Sequence, residues 1–197
     1  MKEFSEACER NKDAIFAVIE PLLKDKKSLL EIGSGTGQHA VYFAEKMNHL
    51  CWQTSDRLEN HPSINSWIDD SHIDNVETPI DLDVLEYHWL QSSFDAVFSA
   101  NTAHIMPWRA VEAMFEGVAS SLNEKGLFFL YGPFNYNGQF TSESNKNFES
   151  WLKSVDPERG IRDFEAVFKL AESCGIKLID DVEMPANNRV LIWRKDN

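Results

Sequence analysis

Apolar residues recur along this chain in two alternating rhythms. Ala14, Ile15, Val18, Ile19, Leu22 and Leu23 fall at helical spacing behind a capping Ser5, so a helix is expected over residues 5–23. After it, short apolar runs alternate with further helical stretches. Strands are expected at 28–32, 50–55, 76–80, 94–99 and 127–131, and helices at 38–47, 61–70, 109–122 and 163–174, the last stopped by Gly175. The run 94–99 is almost continuously apolar, as a parallel strand buried on both faces should be. Segment 139–157 is polar with scattered aromatics (Phe140, Phe148, Trp151) and reads as a loop with a short helix laid over the sheet. Two late strands, 177–182 and 190–194, have a connection short enough to make them an antiparallel pair. Five strands alternating with helices, closed by a hairpin, imply an α/β three-layer sandwich. Its seven-stranded sheet should be mostly parallel, with an antiparallel last strand. No repeat, low-complexity tract or linker divides the chain, so a single domain over 1–197 is expected.

Composition narrows the function classes. A formal charge of -13, with no basic run, repels polyanions and disfavours a nucleic-acid substrate. Cys8, Cys51 and Cys174 are scattered, which suits free thiols in a reducing compartment better than a disulfide framework or a metal set. No metal site is expected. No stretch has the length or apolarity of a membrane span or signal core, so the expectation is a cytoplasmic protein.

The chemistry concentrates after the first strand. Leu29-Leu30-Glu31-Ile32-Gly33-Ser34-Gly35-Thr36-Gly37-Gln38-His39-Ala40 reads as strand, glycine turn and helix, the layout of a nucleotide-type cofactor site. Gly33, Gly35 and Gly37 can take positive φ and let a ligand approach the backbone. A dinucleotide fingerprint would place the third glycine one residue later, where Gln38 stands, and this disfavours an NAD-dependent oxidoreductase. The order acid-x-Gly-x-Gly-x-Gly resembles motif I of class I S-adenosylmethionine-dependent methyltransferases. Asp56 lies at the end of the second strand, about twenty residues beyond the turn, where a ribose-binding carboxylate is expected. Asp83 and Val84 follow the third strand, where that class often places an acid that accepts from the adenine amino group; Asp81 is the competing choice.

More of the chain shares the resemblance. Ser5-Glu6-Ala7, Glu9-Arg10-Asn11-Lys12, Gly35 to Ala40, Trp52-Gln53, Ser55-Asp56 and Leu82-Asp83-Val84 are similar to one family. So are Asn101 with His104-Ile105, Pro107-Trp108, Tyr131-Gly132-Pro133-Phe134, Gly160-Ile161-Arg162-Asp163 and Met184-Pro185-Ala186-Asn187-Asn188. It is a group of methyltransferase-like proteins registered as a domain of unknown function. The resemblance spans nearly the whole chain and implies a Rossmann-like class I methyltransferase fold that binds S-adenosyl-L-methionine through Glu31, the glycines, Asp56, Asp83, Val84 and Asn101. It supplies no acceptor.

The departing Thr102 after Asn101, with one proline before Trp108, differs from the pattern of nucleobase methyltransferases, and a small-molecule acceptor is preferred. His104, after the fourth strand, is the candidate general base, although it can equally order its loop by binding a backbone carbonyl. Tyr131, ending the fifth strand, can orient or deprotonate an acceptor, or simply pack in the core. Arg10, Asn11, Arg162, Asn187 and Asn188 are candidates for a substrate rim, and Trp108, Phe134 and Tyr136 for its aromatic wall. The alternative from another class is an S-adenosylmethionine-binding regulatory or scaffold protein without turnover. The oligomeric state is not encoded in any recognisable pattern.

Overall fold

The computed structural model describes residues 1–86 and 93–196. The leading helix α1 (Glu6–Leu23) is capped by the Ser5 hydroxyl, which accepts from the Cys8 N–H at 3.3 Å. It buries Ile15, Ile19 and Leu23, three of the positions that gave its period away. Five strands and three helices follow: β1 (Ser28–Ile32), α2 (Gln38–Lys46), β2 (Cys51–Asp56), α3 (His61–Ser71), β3 (Val76–Asp81), β4 (Phe94–Ala100), α4 (Trp108–Ser121) and β5 (Leu122–Gly132). The chain then forms β6 (Phe134–Asn135), α5 (Glu143–Val155), β7 (Arg162–Asp163), α6 (Phe164–Ser173), β8 (Ile176–Met184) and β9 (Asn188–Lys195).

The main sheet has seven strands in the order β3-β2-β1-β4-β5-β9-β8. The pairs among β1 to β5 are parallel, while β9 runs antiparallel to both neighbours, β5 and β8. This is the expected mostly parallel sheet with its last strand inserted in reverse. Its two faces carry separate cores. Ile15, Ile19, Phe43, Trp52 and Phe98 pack on the α1–α2 side, and Val97, Val111, Phe115, Phe128 and Trp193 on the α4–α6 side. Phe98 and Val97, adjacent on β4, therefore point to opposite layers, which explains the continuous apolar run.

Strand order reverses between β1 and β4. This is the topological switch point, the place where an open α/β sheet binds its ligands beyond the carboxyl ends of the strands. Two features differ from the sequence reading. Segment 139–157 contains a 13-residue helix instead of a short one, because Ser142 caps it by accepting from the Asn145 N–H at 3.1 Å. β6 and β7 pair as a two-residue ribbon, Phe134 with Arg162 and Asn135 with Asp163, which no periodicity announced. Among the described residues, no helix is long and apolar enough to cross a membrane.

Candidate functional site

The glycine turn leaves β1 with positive φ at Gly33 (72°), Gly35 (57°) and Gly37 (94°). The three are glycine for different reasons. A Cβ at Gly33 would lie 2.6 Å from Thr102 Cγ2, and one at Gly37 would lie 2.9 Å from the Ile64 Cα. Those two answer to the protein's own packing. A Cβ at Gly35 would meet nothing within 4 Å, so this residue borders the open side of the turn. Its N–H donates to Asp56 Oδ2 at 2.7 Å.

Asp56 is buried at the end of β2, and its other oxygen accepts from the Arg57 N–H and Asn60 Nδ2, both at 2.8 Å. A carboxylate offers about four acceptor positions. Three protein donors therefore leave one for a ligand hydroxyl. Asp83 is half-buried after β3, with Oδ1 accepting from the Leu85 N–H at 2.9 Å, and Val84 beside it is buried. Asn101 takes φ of 60°, a conformation asparagine tolerates, and its N–H donates to the Tyr131 carbonyl at 2.9 Å.

Glu31 sits beneath the turn. It is 2% exposed, and its Oε2 accepts from Ser34 Oγ and Trp52 Nε1, each at 3.0 Å. Burial pushes its pKa up to about 7, against the pull of the Trp52 and Ser34 hydrogen bonds. Glu31 thus braces the turn from inside and does not reach its open side. The folded carboxyl holds its proton to higher pH than the unfolded one near 4.5, so stability should decline as pH rises from about 4.5 to 7 and then level off. At ~1.4 kcal/mol per unit the upper bound is about 3 kcal/mol. Glu31→Gln, which keeps an acceptor oxygen, should flatten that decline in urea melts taken across this window.

Two buried histidines flank the carboxyl ends. His104, on the β4–α4 loop, is 6% exposed, and Gly132 lies close to its Nδ1. Burial, and then the positive Arg162 and Arg159, push its pKa down to about 4, so the ring is neutral at physiological pH. Its ring makes no hydrogen bond to another described residue, and the ring edge rests on Phe148 with centroids 5.2 Å apart. The loop is ordered by other groups. The His104 carbonyl accepts from the Gly160 N–H at 2.9 Å, and Arg162 donates to the carbonyls of Ala103, Met106 and Glu158.

His39, second residue of α2, was passed over as a site residue in the sequence, where it looked like ordinary helix. Its Nε2 meets Asn11 Oδ1 at 2.7 Å, its Nδ1 lies 3.9 Å from Cys8 Sγ, and burial pushes its pKa down to about 4. Asn11 also faces Tyr131. Burial raises the Tyr131 phenol above its ordinary pKa, and a hydrogen bond from Asn11 opposes part of that rise. Tyr131 therefore keeps its proton at neutral pH, and at 4% exposed it is packed in the core on the α1–α2 side of the sheet.

The chain matches over residues 2–195 the model of a family described as "Protein of unknown function (DUF938)". The chain belongs to that family. Solved structures share the fold of this DUF938 chain. An O-methyltransferase family protein from Burkholderia thailandensis superposes with a TM-score of 0.80 at 12% identity, over 94% of this chain and 58% of the other. The apo S-adenosylmethionine-dependent methyltransferase SibL gives 0.81 at 14%, over 96% and 56%. An O-methyltransferase family 2 protein from Planctomyces limnophilus, in complex with apigenin, gives 0.80 at 16%, over 94% and 56%. The DUF938 chain spans little more than half the length of each. At these identities the likeness is one of fold, the Rossmann-like fold of class I methyltransferases.

Of the expected rim, the structure brings only part together. Asn11 joins His39 and Tyr131, while Arg10 stays exposed on α1. Arg162 is committed to three loop carbonyls, so its fork is not open to a substrate carboxylate. Trp108 donates to Glu112 Oε1 at 2.9 Å and packs against the α4-side core, and Phe134 is 1% exposed inside that core. Phe134 is thus a core residue of the DUF938 chain, while Trp108 is partly buried against that core. Asn188 serves the β8–β9 turn by donating to the Pro185 and Ala186 carbonyls. Asn187 takes φ of 58°, and its carbonyl accepts from Asn145 on α5 at 3.1 Å. Asn135, not selected from sequence, keeps a buried Oδ1 that no described group meets. Among the described residues, no group of three His, Cys, Asp or Glu could hold a metal.

Proposed function

We propose that this chain is a methyltransferase that binds S-adenosyl-L-methionine at the carboxyl ends of β1 and β2 and modifies a small molecule. The observation that carries the reading is the Asp56–Gly35 pair: a buried carboxylate anchored to the one glycine of the turn whose missing Cβ faces open space. The remaining acceptor position of Asp56 suits a ribose hydroxyl. Asp83 and Val84 would border the adenine, and Asn101 the amino-acid end. When bound, the cofactor supplies an electrophilic methyl group on a sulfonium. The chain's own part is then to align an acceptor and remove its proton.

His104 is the group placed for the second task. Its imidazole is neutral and makes no hydrogen bond to another described residue, so it can accept a proton, and a pKa of about 4 makes it a weak base for that step. His104→Gln should lower turnover by about 100-fold while leaving affinity for S-adenosylhomocysteine within about twofold. Turnover is read as S-adenosylhomocysteine release against a panel of small hydroxyl, thiol and amine compounds. Equal turnover by wild type and variant would remove His104 from the chemistry.

Hydrogen exchange tests the location of the cofactor. Added S-adenosylhomocysteine should slow exchange of the amides in the 33–37 turn. Protection elsewhere, with this turn unaffected, would contradict the assignment.

A further inference from the structure

Helix α1 begins with half a cap of its own. The Ser5 hydroxyl accepts from the Cys8 N–H at 3.3 Å, which is the first half of a capping box. The second half needs a Glu or Gln three residues on, reaching back to the Ser5 N–H, and Cys8 stands there instead. Gln38, the first residue of α2, supplies it from across the chain. Its Oε1 accepts from the Ser5 N–H, and its Nε2 donates to the Ser5 carbonyl at 3.4 Å. Gln38 is 5% exposed, and these contacts fix which way its amide faces. A dinucleotide fingerprint has glycine at this position. Here it carries a side chain that grips the start of α1.

The same side chain is tied into the glycine turn. Thr36 Oγ1 donates to Gln38 Oε1 at 3.1 Å and accepts from the Gln38 N–H at 3.3 Å. On its other side the Thr36 carbonyl accepts from Ser63 Oγ at 3.0 Å, and that oxygen accepts in turn from the Glu3 N–H at 2.9 Å. Trp67 Nε1 donates to the Glu3 carbonyl at 2.8 Å, and Lys2 pairs with Asp70 at 2.7 Å while lying 3.9 Å from the centre of the Trp67 ring. Residues 2–5 therefore reach Thr36 by two separate routes, Ser5–Gln38 and Glu3–Ser63. Thr36 adjoins Gly35, whose N–H is held by Asp56. A turn with three glycines has little conformational preference of its own, so the groups that hold Thr36 set its shape.

We infer that Gln38 is a positioning residue for the cofactor turn, and that through it residues 2–5 act as a strap whose docking and S-adenosyl-L-methionine binding stabilise each other. A turn already held in shape leaves the ligand less to order, and a ligand seated on the turn holds the strap more firmly. Such coupling is reciprocal, so each event is visible at the other place. This rests on the methyltransferase reading for the identity of the ligand. A Gln38 that merely capped α1 would change stability and leave affinity alone.

Amide exchange read by NMR on the full chain, with and without saturating S-adenosylhomocysteine, separates the two. The ligand should slow exchange at Glu3, Ser5 and Cys8 by about tenfold, besides its effect on the 33–37 turn. Amides of α6, which packs on the opposite face of the sheet, should not respond. Gln38→Ala should weaken S-adenosylhomocysteine by about tenfold in calorimetric titration and abolish its effect on the Glu3 and Ser5 amides. Trp67→Phe removes the Nε1 bond to Glu3 and leaves residues 33–38 as they are, and should weaken the ligand by about threefold. If Gln38→Ala does not fold, the wild-type exchange pattern and Trp67→Phe decide alone. Bound ligand without protection of Glu3, Ser5 and Cys8, or an affinity indifferent to either variant, would overturn the inference. Failure of S-adenosylhomocysteine to bind the wild type would overturn the functional reading instead.

Discussion

Gly37→Ala should cost about 3 kcal/mol and lower the melting temperature by roughly 6–12 °C. Two effects add. The residue sits at φ of 94°, where an L side chain is strained. The new Cβ would also lie 2.9 Å from the Ile64 Cα and 3.2 Å from Trp67 Cβ, so α2 and α3 would have to move apart. Backbone on one side cannot yield as a flexible side chain would. Gly35→Ala is the matched comparison. It shares the positive φ but has nothing within 4 Å, so only the conformational strain of about 1–2 kcal/mol applies. Thermal melts of both variants separate packing from strain. Equal losses would mean that the contact between α3 and the turn is looser than the structure has it.

Asp56→Ala should weaken S-adenosylhomocysteine by about 100-fold or more. Charge-assisted hydrogen bonds are worth ~1.5–3 kcal/mol each, and the substitution removes the ribose acceptor together with the group that fixes the Gly35 N–H. Asn60→Ala is the control, since the Asn60 side chain donates to Asp56 Oδ1 and not to the Oδ2 that holds the Gly35 N–H. Its effect should stay within a few fold. A comparable loss in both variants would point to collapse of the loop, and no loss in either would take the ribose role away from Asp56.

The strand ends that frame the switch point were legible because each is announced locally. β1 begins and ends where the apolar run meets Lys27 and Gly33, and its bounds agree residue for residue. The seven-stranded sheet followed from alternation and one short hairpin connection. What could not be read are commitments made over long separations. Arg162 was a candidate for the substrate rim, but the carbonyls it holds, Ala103 and Met106, lie 59 and 56 residues earlier. His39, inside the expected helix 38–47, drew no role from the sequence because its partner Asn11 lies 28 residues away. Phe134 and Trp108 stand in loop-like sequence, and only the β6–β7 ribbon and the α4 core show why they are covered. α5 was underestimated because its apolar stripe is half unpaid by burial, so its aromatics read as scattered.

Calorimetric titration of the purified chain with S-adenosylhomocysteine, alongside NAD, tests the central claim most directly. The account predicts saturable binding of S-adenosylhomocysteine at one site per chain and none of NAD. Absence of S-adenosylhomocysteine binding, or binding of NAD in its place, would contradict it.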